Sequence, residues 1–163
     1  LNTLSPRSRH NARTWSQIKP LGYSENRTMS QPLSIDAVHH ISHLTHDLEA
    51  SIRFYCEILG FAQIERPEFT FPGAWLFNYG VQIHLIDPGD IPAPESAEVQ
   101  TRTDHIAYMV SDIDASRALL DDNGIEYRES YVPATDVTQI FFCDPDGNHI
   151  ELGCYPPTPA KIG

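Results

Sequence analysis

The chain repeats one pattern twice, and this duplication constrains its fold more than any other feature. The segment HISHLTHD at 40–47 matches HIAYMVSD at 105–112, where His, Ile and Asp coincide at an offset of 65. Further along, GVQIHL at 80–85 matches GNHIEL at 147–152 at an offset of 67. Matches that keep their order over such a distance indicate a duplicated module rather than chance similarity.

Each copy of the repeat has the pattern of one helix between β-strands. Asp47 and Asp112 can accept hydrogen bonds from the first turn of a helix, and Gly60 and Gly124 stand where a left-handed C-cap is expected. Alternation and turn signals then predict three strands after each helix. The predicted helices are 48–59 and 113–123; the predicted strands are 38–45, 61–68, 73–78 and 81–87, then 104–111, 125–132, 137–143 and 148–154. The sequence therefore predicts an α+β fold of two βαβββ modules.

The repeat also predicts the domain organisation. We place one domain at 35–155, with modules at 38–87 and 103–155. The linker between them, 88–102, is acidic and rich in proline, so we expect it to be exposed. A short tail, 156–163, follows the second module.

Residues 1–34 have no apolar periodicity and are rich in Ser, Thr, Asn and Arg, so we interpret them as a disordered leader. This composition is typical of an organellar transit segment. The interpretation that we favour is that Met29 is the start and that the residues before it are an artefact of start-site assignment. We therefore expect a cytoplasmic protein, or an organellar one if the leader is a genuine transit peptide.

Charge and cysteine content exclude several classes of protein. After residue 34 the chain has six basic and 21 acidic residues, and such a surface repels the phosphates of nucleic acid. No apolar run is long enough to cross a bilayer. The three cysteines match neither a disulfide framework nor a zinc motif, which favours a reducing cytosol; they are Cys56, Cys143 and Cys154. We expect a small molecule as the partner.

Strand alternation selects a set of metal-ligand candidates. Ile41 and Ile106 mark the apolar face of the first strand of each module, so the histidines before them point to the opposite face. On the last strands, the polar residues at equivalent positions share that face because their neighbours are Ile and Leu. The four candidates are His40, His84, His105 and Glu151. His43 aligns with Tyr108 and is expected to pack between helix and sheet.

These four side chains suit a divalent metal. Imidazole nitrogen binds Zn, Ni, Co, Mn or Fe(II), and one carboxylate offsets part of the charge. Two ligands from each module on rigid strands would hold a Lewis acid with coordination positions left for water or substrate. A single histidine on a strand is more often structural, but four candidates that obey one repeat and one alternation favour a metal site.

Four segments resemble the vicinal oxygen chelate superfamily, also called the glyoxalase, bleomycin-resistance and ring-cleaving dioxygenase superfamily. They are HHISHLTHDLEASIRFYCEILGF, WLFNYGVQIHLID, DHIAYMVSDIDA and FFCDPDGNHIELGC. The resemblance implies two βαβββ modules that form a curved, cup-shaped mixed sheet with helices on the outside. It also implies metal ligands on the first and last strands of each module, which are His40, His84, His105 and Glu151.

Within that superfamily the chain is most similar to glyoxalase I (lactoylglutathione lyase). This similarity implies a metal-dependent lyase or isomerase that acts on a hemithioacetal through a metal-bound enediolate, with glutathione as co-substrate. Glyoxalase I usually has Glu where His84 stands, so Glu151 would be the single base. The resemblance leaves open a fosfomycin-type thiol transferase, an extradiol-type dioxygenase, an acyl-CoA epimerase or a non-catalytic binding module.

Substrate contacts are predicted less sharply. Trp75 and Phe77 are candidates to line the cup, and Arg66 and Arg128 are candidates to hold a substrate carboxylate. Relatives often build their sites across a dimer, and the resemblance therefore implies a homodimer.

Overall fold

The computed structural model describes residues 34–93 and 98–156. The predictions for the leader and the tail fall almost entirely outside these ranges, as does the middle of the linker. Among the described residues, no helix combines the length and the apolar character needed to cross a membrane.

Two βαβββ modules are present, as the repeat predicts. The first contains β1 His40–Leu44, α1 Leu48–Arg53 with a π-helical continuation Phe54–Ile58, β2 Ala62–Ile64, β3 Gly73–Asn78 and β4 Val81–Ile86. The second contains β5 His105–Met109, α2 Ile113–Asp122, β6 Tyr127–Val132, β7 Val137–Cys143 and β8 His149–Gly153. The α+β class is confirmed, and β3 and β7 have the predicted bounds.

Strand β2 is much shorter than the predicted 61–68. Pro67 and Pro72 lie between β2 and β3, and proline has no N–H with which to continue a ladder. The residues between the strands therefore form a loop. This loop carries Arg66 and two exposed phenylalanines, Phe69 and Phe71, and the ring of Phe69 lies 6.0 Å from that of Trp75 on β3.

The helix ends follow the predicted capping chemistry. The carboxylates of Asp47 and Asp112 accept hydrogen bonds from the amides of Ala50 and Ala115, each at 2.9 Å. Gly60 and Gly124 adopt φ angles of 72° and 64°, the left-handed conformation that ends each helix.

Each module has its own four-stranded mixed sheet. The strand orders are β1-β4-β3-β2 and β5-β8-β7-β6, and the first strand of each order runs parallel to its neighbour. β1 and β5 are consequently edge strands. In both sheets one face packs on helices, and the other face carries the candidate ligands.

The helix-packed faces of both modules contribute to one hydrophobic core. The rings of Phe54 and Phe142 lie 6.2 Å apart, as do those of Phe61 and Tyr108. Tyr55 is fully buried and its hydroxyl donates to Asp144 at 3.0 Å. Since the modules share this core, their helix-packed faces are fixed against each other.

A polar network joins the start of α1 to the turn before β8. Asp146 accepts from the amide of His46 at 2.8 Å and from the hydroxyl of Ser51 at 3.1 Å. Asp144 is buried and accepts from the amides of Asp146 and Asn148. This network fixes the turn from which β8 begins, and so fixes the position of Glu151 on that strand.

Candidate metal centre

The alternation of the first strands is as the sequence predicts. Ile41 and Ile106 pack against the core, whereas His40 and His105 are on the exposed face of β1 and β5. On the last strands, Ile83 and Ile150 are buried in the core. Their neighbours on the opposite face are the other two candidate ligands, so all four predicted residues lie on the faces that the helices leave open.

The first module holds its two histidines as a stacked pair. The rings of His40 and His84 are 4.1 Å apart and nearly parallel, and Trp75 stacks on the other side of His84 at 4.4 Å. His84 is only 8% exposed. Burial is the largest cause that lowers the pKa of His84, so its imidazole is neutral near pH 7.

The neutral imidazole of His84 has one nitrogen available as a ligand. Its Nε2 lies 3.0 Å from Oε1 of Gln82, which accepts a hydrogen bond from that nitrogen. The lone pair is then on Nδ1. A side-chain partner that fixes the tautomer in this way is typical of metal-binding histidines.

The second module holds its pair in direct contact. Nε2 of His105 lies 2.7 Å from Oε2 of Glu151. Nδ1 of His105 is 2.7 Å from the carbonyl of Thr103, and a carbonyl only accepts, so Nδ1 carries the proton. In the neutral ring, the Nε2 lone pair therefore faces a carboxylate oxygen. Two such atoms need a proton between them or a cation beside them, and a nitrogen and an oxygen are both ligands that a divalent ion accepts.

The carboxylate of Glu151 is buried and oriented. Glu151 is 3% exposed. Its Oε1 accepts hydrogen bonds from the side-chain amide of Gln139 and the hydroxyl of Tyr155. Burial, followed by the contact with Glu151, raises the pKa of Tyr155 and keeps that hydroxyl protonated. Oε1 is thus occupied by two donors, and Oε2 is directed at His105.

The four candidate ligands form two pairs, one on each sheet. Within 34–93 and 98–156, no three His, Cys, Asp or Glu side chains come together in an arrangement that could hold a metal ion. Each pair has the chemistry of half a site: two imidazoles in the first module, and an imidazole with a carboxylate in the second.

The predicted substrate contacts also differ between the two modules. Trp75 and Phe77 lie on the ligand face of β3, and Arg66 stacks on Phe69 beside them, with Cζ 4.5 Å from the ring centroid. Arg128 instead forms an ion pair with Glu98 at 2.5 Å. The first module therefore offers an arginine and aromatic rings, whereas the candidate arginine of the second module is paired with a carboxylate.

The sequence prediction missed several residues on the ligand faces. His149 is two residues from Glu151 and shares its face, but its Nε2 accepts from the amide of Gln100 at 3.0 Å. The two-residue spacing was the signal that could have found it. Gln139 and Tyr155 could be found only through the register of β7 and β8, which places Gln139 opposite Gly153.

Comparison with known proteins agrees with this architecture. The family profile described as the Glyoxalase/Bleomycin resistance protein/Dioxygenase superfamily matches residues 37–152. The chain belongs to this superfamily.

Relatives in the superfamily include enzymes of different named activities. Glyoxylase I 4 of Arabidopsis thaliana is 35% identical over 125 residues, which cover 74% of this chain and 72% of that protein. The metallothiol transferase FosB of Staphylococcus saprophyticus is 28% identical and covers 72% of this chain and 76% of that protein. A crystal structure of a glyoxalase family protein from Bacillus anthracis superposes with a TM-score of 0.61 at 26% identity, over 76% of this chain and 98% of that one.

Proposed function

We propose that this protein is a metal-dependent lyase or isomerase of the glyoxalase I type. Its substrate would be a hemithioacetal, or a related small molecule with two neighbouring oxygens, with glutathione as the thiol. The observation that carries this proposal is the buried Glu151 carboxylate, oriented by two donors at one oxygen and 2.7 Å from His105 at the other. The relative named Glyoxylase I 4 supports it.

The metal would be held by His40, His84, His105 and Glu151. Three neutral imidazoles and one carboxylate leave a divalent ion with a single positive charge. When bound, such an ion supplies Lewis-acid chemistry: it draws electron density from two adjacent substrate oxygens and makes the neighbouring C–H more acidic. Zn, Ni, Co, Mn and Fe(II) all suit this set of ligands.

We propose further that two copies of the chain complete each site. The two ligand pairs lie on separate sheets, and β1 and β5 are edge strands whose outer backbone groups lack a partner strand within the described residues. An edge strand is a template for pairing with another strand. A homodimer that brings β1 of one copy to β5 of the other would join a His-His pair to a His-Glu pair.

Glu151 would carry the proton in this reaction. Proton transfer between adjacent carbons needs one base that can reach both, and Glu151 is the single carboxylate among the candidate ligands. Tyr155 and Gln139 hold Oε1, so Oε2 would be the oxygen that takes the proton from one carbon and returns it to the next, and it would do so when it is not bound to the ion. The side chains around Glu151 exclude bulk water from the carboxylate.

A thiol transferase is the second candidate. Such enzymes in this superfamily use two histidines and one glutamate, which correspond to His40, His105 and Glu151. The stacking of His84 between two rings is the observation that favours a three-ligand set, because a ring held on both faces has little freedom to reorient. The relative FosB, named as a metallothiol transferase, supports this alternative.

Metal quantification followed by a turnover assay tests the proposal. The purified wild type should contain one divalent ion per site and convert the hemithioacetal of methylglyoxal and glutathione. His105→Ala should lose the metal, and Glu151→Gln should lose turnover; Glu57→Gln, which changes an exposed carboxylate on the helix, is the matched control.

Other outcomes discriminate the alternatives. Bound metal without hemithioacetal turnover, but with thiol addition to an epoxide, would replace the lyase by the transferase. Bound iron with oxygen uptake would indicate a dioxygenase, and turnover of an acyl-CoA thioester would indicate an epimerase. A protein that binds no metal in any preparation would overturn the enzymatic proposal and favour a binding module.

A further inference from the structure

A continuous row of rings runs along the ligand face of the first module. The ring of His84 stacks on Trp75 at 4.4 Å, and Trp75 contacts Phe69 at 6.0 Å. Phe69 in turn lies 5.3 Å from Phe71. Phe69 and Phe71 are 46% and 39% exposed, and Phe77 on the same face of β3 is 46% exposed, so this face presents apolar surface to whatever enters it. Exposed aromatics beside ligand candidates indicate a binding surface rather than core.

Arg66 closes the outer end of this row. Its guanidinium lies over the rings of Phe69 and Phe71, with Cζ 4.5 and 5.1 Å from their centroids, and Nη2 donates to the carbonyl of Phe71 at 3.0 Å. Stacking and this hydrogen bond fix the plane of the guanidinium. The remaining N–H groups keep the planar fork that binds two carboxylate oxygens at once.

Gly73 allows the arginine to lie there. A Cβ at Gly73 would stand 2.5 Å from the carbonyl of Leu85 and 3.3 Å from Nη2 of Arg66. Gly73 and Trp75 are two apart on β3 and so share a face. The absence of a side chain at 73 therefore places the guanidinium against the same face as Trp75.

The charge of Arg66 is uncompensated in the described parts of the chain. No carboxylate there forms an ion pair with it, although the chain has 22 acidic residues and only 11 basic ones. By contrast, Arg128 on β6 of the second module is paired with Glu98. An oriented, unpaired guanidinium beside an aromatic surface in an acidic protein is complementary to an organic anion.

We propose that the first module recognises a small organic acid whose carboxylate binds Arg66 and whose flat apolar body lies along Phe69, Trp75 and Phe77. Two rings, Trp75 and Phe69, separate His84 from Arg66. The carboxylate is therefore at the opposite end of the substrate from the pair of oxygens at the candidate metal ligands. This inference rests on the proposed function for the position of the reacting oxygens, but not for the binding of the acid itself.

Calorimetric titration of the full-length protein, stripped of metal by chelation, tests this recognition directly. The probe is biphenyl-4-carboxylate, which carries one carboxylate on a body two rings long; biphenyl-4-carboxamide is its neutral match, and cyclohexanecarboxylate lacks the flat body. Biphenyl-4-carboxylate should bind at least about tenfold more tightly than either, because a charge-assisted pair and ring contact are each worth about a factor of ten.

Substitutions then assign the effect to Arg66. Arg66→Gln should weaken the carboxylate about tenfold or more and leave the carboxamide unchanged, and Arg66→Lys, which keeps the charge without the fork, should give an intermediate loss. Arg128→Gln, the matched control in the second module, should change neither. Phe69→Leu should weaken both biphenyl probes equally.

Two results would overturn the inference: equal binding of the carboxylate and the carboxamide, or equal losses from Arg66→Gln and Arg128→Gln. Because the titration uses metal-free protein and needs no turnover, it is independent of the lyase assay. Tight, Arg66-dependent binding without hemithioacetal turnover would retain this inference and remove the proposed function. Turnover without charge-dependent binding would do the reverse.

Discussion

The two modules share a strand order and a register but place different chemistry on equivalent positions. Trp75 lies opposite His84 in the first sheet, and Phe141 lies opposite Glu151 in the second. The pair in the first module is surrounded by rings, whereas Glu151 in the second is surrounded by hydrogen-bond donors. The duplicated backbone thus supplies the positions, and the side chains decide what each half can do.

This difference suggests a division of labour within one site. The ligand face of the first module has stacked rings and an arginine without an ion pair among the described residues, so it is suited to hold a substrate. A buried carboxylate with one oxygen fixed by two donors is suited to move a proton. The following predictions separate the two halves, and they run from the largest expected effect to the smallest.

The first prediction concerns proton transfer in the second module. Glu151→Gln should lower kcat for the hemithioacetal about a thousandfold, because general-base catalysis contributes about 10²–10⁴ in rate. Binding of biphenyl-4-carboxylate to the first module should be unchanged. Steady-state kinetics and calorimetry measure the two effects. A large loss of kcat in the control Glu57→Gln, or a retained kcat in Glu151→Gln, would contradict the assignment.

The second prediction concerns the donors to that carboxylate. Tyr155→Phe should lower kcat about tenfold, since a hydrogen bond to a charged group contributes about 1.5–3 kcal/mol. Metal content should stay the same because the ligands are intact. Tyr131→Phe is the matched control: its exposed hydroxyl donates to Asp136 at 2.8 Å, away from the ligand face. Equal effects of the two substitutions would show that Tyr155 has no specific role.

The third prediction uses the equivalent positions 43 and 108. Burial lowers the pKa of His43, so the folded state keeps this ring neutral while the unfolded chain takes up a proton below about pH 6.5. The free energy of unfolding should therefore fall as pH decreases from 7 to 5. His43→Tyr, which introduces the residue type of the second module, should make this dependence flatter in urea unfolding experiments.

His46 should affect the pH dependence of the free energy of unfolding in the opposite direction. Its contact with Asp146 raises its pKa, so its stabilising contribution is full below pH 6.5 and is lost as pH rises through the raised value. His46→Gln should therefore make the fall in stability toward pH 5 steeper. If His43→Tyr and His46→Gln changed the pH dependence in the same direction, the assignment of these two histidines would be wrong.

The smallest expected effect is at Tyr108. Its buried hydroxyl has no hydrogen-bond partner among the described residues, and burial raises its pKa to about 12. Tyr108→Phe should leave the free energy of unfolding unchanged or raise it by up to about 1 kcal/mol. Tyr55→Phe should instead cost about 1–3 kcal/mol, because it removes one of the hydrogen bonds to the buried carboxylate of Asp144. A larger loss at Tyr108 than at Tyr55 would contradict this contrast.

Much of the fold could be predicted from the sequence because the same pattern of caps, turns and alternation occurs in both modules. The bounds of β3 and β7, the two aspartate caps and the alternation of β1 and β5 all follow from local chemistry. β2 was predicted too long because the predicted strand continued through Glu65 and Arg66 to Pro67, which has no N–H with which to continue a ladder. The π-helical end of the first helix, where the N–H of Leu59 donates to the C=O of Phe54, has no simple sequence signal.

The candidate site was less predictable for a physical reason. Alternation fixes the face on which His84 or Glu151 lies, but it does not fix which sheet stands beside which. The separation of the ligands into two pairs therefore needed the structure. The donors Gln139 and Tyr155 depend on cross-strand register and on chain direction after β8. Arg66 was predicted as a carboxylate contact, but the rings that orient it could be identified only in three dimensions.

The central claim is that each site joins the His-His pair of one copy to the His-Glu pair of another. Mixing two inactive variants tests it most directly: His40→Ala/His84→Ala lacks the first pair, and His105→Ala/Glu151→Gln lacks the second. If sites form between copies, the mixed dimer keeps one of its two sites, so its metal content and turnover should be about half the wild-type value, and those of a freely exchanging equimolar mixture about a quarter. If instead the separate and mixed preparations are equally metal-free and inactive while mixed dimers demonstrably form, the two pairs do not meet across copies and the account is wrong.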